Sequence, residues 1–193
     1  MSRKRPQALF LDRDGALIKW VDYLRDPSKV VLEPGIAAAL AKAKRHGCRL
    51  FMHTNQSGVG RGYFAMDRVN AVNDEMYRLM GLGANPFDAV CIAPDDPSAP
   101  LTPSYRKPNP RFELEMIEKF GLDKSACYMV GDRMSDIETG WNAGISSVGI
   151  GGSEADDRFG GKEVEVFESV AAFVDSVCSS ERGDGSRGVR LSD

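Results

Sequence analysis

Short apolar runs alternate with longer helix-forming segments along the chain. Residues 8–11 (Ala-Leu-Phe-Leu) form an uninterrupted apolar run that stops at a charge, which is typical of a buried strand. The segments between such runs are rich in helix formers and often close at a glycine. The pattern predicts strands over 8–11, 49–54, 87–93, 127–130 and 147–150, and helices over 36–46, 65–80, 110–120 and 135–143.

The alternation of strands and helices predicts α/β architecture with a mainly parallel sheet, because parallel neighbours are joined by crossovers that helices usually provide. The right-handed crossover rule makes a three-layer α/β/α sandwich of Rossmann type the simplest arrangement. We expect a single domain over residues 1–178. The polar, glycine-rich segment over 179–193 is interpreted as a flexible tail without an assigned function.

Composition narrows the class of protein without indicating a function. The chain has 193 residues, of which 42% are hydrophobic, and this length supports a core without disulfides or structural metal. Lys and Arg number 25 against 28 Asp and Glu, and the net charge of −3 argues against a nucleic-acid or membrane partner. No apolar run reaches the roughly 18 residues of a membrane span. The four scattered cysteines suit a reducing compartment, so we expect a cytoplasmic protein, and we expect it to be a monomer.

Polar clusters follow the predicted strands at the sheet edge where open α/β folds bind ligands. Residues 12–15 (Asp-Arg-Asp-Gly) follow the first strand, and residues 54–55 (Thr-Asn) end the second. Residues 106–107 (Arg-Lys) lie in the loop over 94–110, which contains six prolines, and residues 131–136 (Gly-Asp-Arg-Met-Ser-Asp) follow the fourth strand. Each cluster alone has an ordinary explanation as a turn, a helix cap or a solvated charge. Their coincidence at one edge predicts a site.

The residue types in these clusters suit an anionic ligand that is bridged to the protein through a metal. Three carboxylates, Asp12, Asp14 and Asp132, would repel one another without a cation, and oxygen ligands beside phosphate suit Mg²⁺. Arg106 and Lys107 would offset the charge of a phosphoryl group. The ligand predicted from these residues is therefore a small phosphorylated molecule.

A glycine-rich loop over residues 55–62 is expected to bring backbone close to the substrate. Its glycine spacing fits neither the dinucleotide-binding fingerprint nor a P-loop, so a nicotinamide or ATP site has little support. His53, which lies in a strand beside these residues, is interpreted as a packed core histidine.

In order and spacing, the clusters resemble the four motifs of the haloacid dehalogenase (HAD) superfamily from about residue 8 to residue 150. The matching segments are residues 9–15, 54–58 (Thr-Asn-Gln-Ser-Gly), 106–108 (Arg-Lys-Pro) and 131–136. The second and third motifs are also similar to those of the heptose bisphosphate and histidinol phosphate phosphatases, a branch with almost no cap domain. The resemblance implies a HAD-like fold with a minimal cap or none.

The resemblance implies a catalytic role for four residues. Asp12 would be the nucleophile that forms an aspartyl-phosphate. Asp14 would be the general acid for the leaving alcohol and later the base for water. Thr54 and Lys107 would hold the phosphoryl oxygens. Such a reaction requires one group that first donates and then accepts a proton.

The resemblance also implies the surroundings of these residues. Mg²⁺ would be bound by Asp12, by the backbone carbonyl of Asp14 and by Asp132, and Asp136 would orient these ligands. The residues expected to contact substrate, which include part of the segment 20–23, are Arg13, Asp22, Tyr23, Asn55, Gln56, Arg61, Arg106 and Arg133.

The chain departs from the family pattern in two places. Ala16 stands where the family usually has Thr. Relatives bind a structural zinc ion with one Cys-x-His pair and one Cys-x-Cys pair, but here Cys91 is accompanied by Ala93, Pro103 and Tyr105. One thiolate cannot form a tetrahedral zinc site, so no structural zinc is expected.

The function hypothesis is a Mg²⁺-dependent phosphomonoesterase that acts on a small metabolite, with a heptose bisphosphate as the leading substrate. Histidinol phosphate is the nearest alternative, and the phosphorylated end of a nucleic acid is a more distant one. A non-catalytic phosphosugar-binding module is an alternative of a different class. Such a module would need no proton shuttle, and the presence of Asp14 counts against it.

Overall fold

The computed structural model describes residues 5–151, 159 and 164–178 of the chain. Six described strands form one sheet: β1 Ala8–Leu11, β2 Arg49–Asn55, β3 Ala89–Ala93, β4 Cys127–Gly131, β5 Ser146–Ile150 and β6 Glu165–Phe167. Their order in the sheet is β3-β2-β1-β4-β5-β6, and every neighbouring pair is parallel. The predicted α/β class is confirmed.

Six α-helices and two short 3₁₀ helices accompany the strands in the described part of the chain. The α-helices are α1 Ile36–Arg45, α2 Ser57–Gly60, α3 Met66–Met80, α4 Arg111–Phe120, α5 Met134–Ala143 and α6 Val170–Val177. The 3₁₀ helices are Pro27–Lys29 and Lys124–Ala126. The four predicted helices correspond to α1, α3, α4 and α5.

Alternate residues of the central strands face opposite sides of the sheet, so each side has its own apolar core. On one side, Leu9 and Leu11 of β1 pack with buried residues of α1, α3 and α6. On the other side, Phe10 packs with Phe51 of β2 and Phe112 of α4. The rings of Phe10 and Phe51 stack with their centroids 4.7 Å apart. The two cores account for the three-layer sandwich.

The hydrophobic pattern does not predict β6, α6 or the short helix α2. β6 is a three-residue strand that pairs with β5 at the sheet edge, too short for a periodic pattern. α6 reads Val-Ala-Ala-Phe-Val in its first five residues, so it shows no alternation of apolar and polar faces. α2 is one turn within the predicted glycine-rich loop.

The connections at the carboxyl ends of the strands form the region around the predicted site. In the residues that the structure describes, the stretches over 12–35 and 94–110 hold no inserted domain, as expected for a minimal cap. No described helix is both long and apolar enough to cross a membrane. The predicted flexible tail over 179–193 lies outside the described residues, and the single domain over 1–178 stays a prediction.

All four cysteines are buried free thiols. Burial raises the pKa of Cys48 and of Cys91 to about 12 and the pKa of Cys127 to about 11. Because the thiolate is the reactive form, we expect a thiol reagent to label the native protein roughly 10²-fold more slowly than the protein unfolded in denaturant. Labelling followed by mass spectrometry measures both rates. Fast modification of any thiol in the native protein would contradict this burial.

Candidate active site

The polar clusters converge at the carboxyl ends of β1, β2 and β4. They line a pocket of about 200 Å³. Most of the predicted site residues line it: Asp12, Arg13, Asp14, Asp22, Tyr23, Thr54, Asn55, Gln56, Arg106, Lys107, Arg133 and Asp136. Asp132 lines an adjoining depression together with Trp20 and Arg133. The predicted clusters therefore form one site.

Lys107 joins two of the predicted carboxylates. Its side chain is buried, and Nζ lies 2.6 Å from Oδ1 of Asp12 and 2.5 Å from Oδ1 of Asp136. Burial alone would lower the pKa of this lysine, but the two carboxylates outweigh burial and raise its pKa. The charged ammonium ties the end of β1 to the first turn of α5.

Two side chains of β2 hold the segment that carries Lys107. Asn55 accepts a hydrogen bond from the backbone N–H of Lys107 at 2.9 Å and donates one to its carbonyl at 3.1 Å. His53 faces Oε1 of Glu113 on α4 and the carbonyl of Tyr105, both at 2.7 Å. His53 and Glu113 are fully buried, so His53 is a core histidine. Asn55, predicted to contact substrate, uses its side chain to position Lys107.

Three buried carboxylates form the acidic centre of the site. Oxygens of Asp12, Asp132 and Asp136 all lie within 4.8 Å of one another. Burial raises the pKa of Asp12 to about 7, with Lys107 opposing the shift and Asp136 adding to it. Burial, followed by the charge of Asp136, raises the pKa of Asp132 to about 6. The single charge of Lys107 cannot balance three carboxylates, so a further cation would stabilise the cluster.

The donor set of this cluster fits Mg²⁺, which prefers carboxylate oxygens and would supply the missing charge. Asp12 and Asp132 are in a position to hold it. Asp136 is held by Lys107 and accepts a hydrogen bond from the backbone N–H of Arg133 at 3.0 Å. The side chain of Asp136 is therefore fixed by two contacts, and its expected role is to orient the metal ligands.

The carboxylate of Asp14 belongs to a separate group of polar side chains. Oδ2 of Asp14 accepts hydrogen bonds from Nε and Nη2 of Arg13, at 3.1 and 2.9 Å. Nε2 of Gln56 donates to the same oxygen at 2.8 Å and to Oγ1 of Thr54 at 2.9 Å. Arg13 lines the pocket, but its side chain is fully buried and its guanidinium is bonded to Asp14 and Asn73, so its contact with substrate stays a prediction.

Aromatic side chains form one wall at the mouth of the pocket. Trp20 is 54% exposed and lines the pocket. Tyr23 has a φ of 46°, a left-handed conformation that is strained for a non-glycine residue. Its ring packs edge to face on Tyr63, with the centroids 4.9 Å apart. The segment over 20–23 therefore lines the pocket, and its contact with substrate stays a prediction.

The charged residues at the mouth divide into two groups. Arg106, Arg133 and the exposed Asp22 line the pocket. Nη1 of Arg106 donates to the carbonyl of Asp95 at 3.2 Å, which orients its guanidinium. Arg61 lies outside the pocket lining and is 3.6 Å from Asp96. A hydrogen bond with Tyr63 and the neighbouring Tyr23 raise the pKa of Arg61, so Arg61 lies beside the aromatic wall, and its contact with substrate stays a prediction.

The glycines of the 55–62 loop allow protein segments to pack closely. A Cβ on Gly58 would lie 2.5 Å from the ring of Phe64 and 2.9 Å from Tyr23. A Cβ on Gly60 would lie 2.5 Å from the carbonyl oxygen of Pro94. These two glycines therefore shape the wall of the pocket, which Gly58 lines, and the approach of their backbone to substrate stays a prediction.

The sequence pattern does not single out Asn73 or Glu113, which bond to Arg13 and His53. Both are buried polar residues on otherwise apolar helix faces, beside Val72 on α3 and beside Phe112 on α4. Because a buried polar group requires a partner, a polar residue on such a face is the signal that would have indicated them.

Comparison with known proteins places this geometry in a family. The HAD-hydrolase-like family model matches residues 104–173. The chain is 38% identical over 144 residues to D-glycero-beta-D-manno-heptose-1,7-bisphosphate 7-phosphatase of Mesorhizobium japonicum, covering 72% of this chain and 66% of that protein. It is 35% identical over 146 residues to D-glycero-alpha-D-manno-heptose-1,7-bisphosphate 7-phosphatase of Burkholderia mallei, covering 73% and 77%.

A solved structure shares the fold. It is that of D,D-heptose 1,7-bisphosphate phosphatase from B. bronchiseptica, complexed with magnesium and phosphate, with a TM-score of 0.78 and 24% identity. The alignment covers 89% of this chain and 97% of that one. Fold and site together define a HAD-like hydrolase. The chain belongs to this family, with relatives named heptose bisphosphate phosphatases, and it is a phosphatase.

Gly15 lies where the loop after β1 passes Asp132. Its φ is +91°, and a Cβ there would lie 2.5 Å from Oδ2 of Asp132. We expect Gly15→Ala to displace Asp132 and to lower phosphatase activity by roughly 10²-fold, because small displacements of reacting groups are costly. Phosphate release measures the loss.

Gly83→Ala is the matched control. Gly83 also has a positive φ, +102°, but a Cβ there meets no atom within 4 Å. We expect it to lower the free energy of unfolding by about 1–2 kcal/mol and to leave activity unchanged. Equal losses of activity in the two variants would show that backbone strain, and not the displacement of Asp132, is responsible.

Proposed function

We propose that the protein is a Mg²⁺-dependent phosphomonoesterase that removes the 7-phosphate of D-glycero-D-manno-heptose-1,7-bisphosphate through an aspartyl-phosphate. The observation that carries the proposal is the setting of Asp12, whose carboxylate lines the pocket, pairs with buried Lys107 and adjoins Asp132. The names of the relatives support the substrate. The magnesium and phosphate in the B. bronchiseptica structure support the metal.

In the first step, a carboxylate oxygen of Asp12 attacks phosphorus, and the bond from phosphorus to the leaving alcohol oxygen breaks. Lys107 offsets the repulsion between this carboxylate and the phosphate, and Thr54 donates to a phosphoryl oxygen. Asp14 gives its proton to the leaving oxygen. Asp12, Asp132 and the backbone carbonyl of Asp14 would hold Mg²⁺, which would supply further neutralising charge.

In the second step, water attacks the phosphorus of the aspartyl-phosphate, and Asp14 accepts a proton from that water. Inorganic phosphate leaves, and the carboxylate of Asp12 is restored. Both steps require a carboxyl group that lies near Asp12 but is not committed to the acidic cluster. Asp14 meets this requirement, because its side chain is bonded to Arg13 and Gln56 and not to Lys107.

The pocket suits a small, polar phosphate ester with a second anionic group. Its volume of about 200 Å³ accommodates a phosphoryl group and part of a sugar. Arg106 and Arg133 line it beside Trp20, so positive charge is available beyond Lys107. A bisphosphate uses this charge better than histidinol phosphate, which carries one phosphate and a cationic amine.

The test is phosphate release from both anomers of heptose 1,7-bisphosphate, other sugar phosphates, histidinol phosphate and a 3′-phosphorylated oligonucleotide, with Mg²⁺ and with EDTA. We expect turnover of the heptose bisphosphate that EDTA abolishes. Asp12→Asn should lower turnover by roughly 10³-fold or more, because it removes the nucleophile. Asp175→Asn, the same chemical change at the surface pair with Lys42, is the control and should match the native protein.

Each part of the proposal fails in a different way. Full activity of Asp12→Asn would overturn the aspartyl-phosphate mechanism. Faster turnover of histidinol phosphate would replace the substrate and keep the mechanism. Turnover that resists EDTA would remove the metal from the proposal.

A further inference from the structure

The carboxylate of Asp14 is held asymmetrically by its neighbours. Oδ2 accepts three hydrogen bonds: from Arg13 Nη2 at 2.9 Å, from Arg13 Nε at 3.1 Å and from Gln56 Nε2 at 2.8 Å. Oδ1 accepts one longer bond, from Arg13 Nη2 at 3.2 Å. The lone pairs of Oδ2 are therefore occupied, and Oδ1 is the oxygen that remains available to exchange a proton.

Arg13 is itself fixed from the opposite side. Its side chain is fully buried, and Nη1 donates to Oδ1 of Asn73 at 2.9 Å. Asn73 is 4% exposed and lies in the middle of α3. A planar guanidinium that is bonded at both ends cannot rotate without breaking one set of bonds. Asn73, Arg13 and Asp14 thus form a chain of contacts from the helix layer to the pocket.

This arrangement is more than a structural ion pair buried in the core. The side chain of Asp14 is 19% exposed while that of Arg13 is fully buried, so the arginine lies behind the carboxylate and the carboxylate faces outward. Gln56 extends the same constraint to Thr54 through a 2.9 Å hydrogen bond. The two residues proposed to act on the phosphate ester from this side are therefore oriented by one network.

We propose that Arg13, fixed by Asn73, is a positioning residue that holds Oδ1 of Asp14 toward the leaving oxygen. The inference rests on the proposed function, in which Asp14 is the general acid. A displacement of about 1 Å at a reacting group can cost roughly 10²-fold in rate, so loss of this support should be visible in catalysis.

The test is the dependence of kcat/KM on the leaving group, because kcat/KM includes the step in which that group departs. Proton donation matters most for an alkyl leaving group and least for an acidic phenol. The probes are glucose 6-phosphate, phenyl phosphate and p-nitrophenyl phosphate. A general loss of structure lowers all three values by one factor, whereas a misplaced acid lowers them unequally.

The variants are Asn73→Leu, which removes the acceptor and keeps the branching of the side chain, and Arg13→Lys, which keeps the charge but not the planar fork. General acid catalysis contributes roughly 10²–10⁴-fold, so we expect kcat/KM for glucose 6-phosphate to fall by roughly 10- to 100-fold and that for p-nitrophenyl phosphate by less than about threefold. Met80→Ala, a buried change at the end of the same helix, should lower the three values equally or not at all.

A uniform loss in both variants, or native values in both, would overturn the positioning role. Arg13→Lys decides the question if Asn73→Leu does not fold. Asp14→Asn separates this result from a failure of the proposed function. If Asp14→Asn has the native leaving-group dependence, the general-acid assignment has failed. If Asp14→Asn steepens the dependence and the two positioning variants do not, the role of Arg13 alone has failed.

Discussion

The buried contact of Lys107 with Asp12 and Asp136 is the interaction on which the site depends. A lysine at this depth remains charged because two carboxylates accompany it, and the carboxylates tolerate burial because the lysine is there. The contact also joins the end of β1, the start of α5 and the loop before α4. Truncating Lys107 would leave the buried carboxylates of Asp12 and Asp136 without a compensating charge. Both the stability of the fold and the arrangement of the site therefore depend on Nζ of Lys107.

The parallel sheet by itself brings the carboxylates of the site together, because the strands that carry them are neighbours. β1 and β4 are neighbours, so the residues that follow them, Asp12 and Asp132, emerge side by side. The carboxylates of Asp132 and Asp136 can then pack against the backbone only where two residues, Gly15 and Gly131, have no side chain. A Cβ on Gly131 would lie 2.3 Å from Cγ of Asp136, and Gly15 has the same relation to Asp132. Gly15 and Gly131 are therefore needed to leave room for the carboxylates of the acidic cluster.

The position of the site could be predicted from the sequence because strand ends in a parallel sheet share one edge. The direction of individual side chains could not. Arg13 stands between two aspartates, and nothing in the spacing shows that it points into the core toward Asn73, sixty residues away. Asn55 and Gln56 were both expected to contact substrate, yet their amides bond to Lys107 and Asp14. Such side-chain pairings depend on how the helices pack against the sheet. The hydrophobic periodicity of the sequence does not contain that information.

The two aspartates of the first motif illustrate how one chain gives like groups different surroundings. Asp12 and Asp14 are two residues apart, but Asp12 faces Lys107 and the acidic cluster while Asp14 faces Arg13 and Gln56. A nucleophile must remain an accessible carboxylate, whereas an acid must exchange a proton from a fixed direction. Lys107 comes from the loop before α4, and Arg13 is braced by α3. The two roles proposed for these aspartates are thus supported by elements from opposite layers of the sandwich.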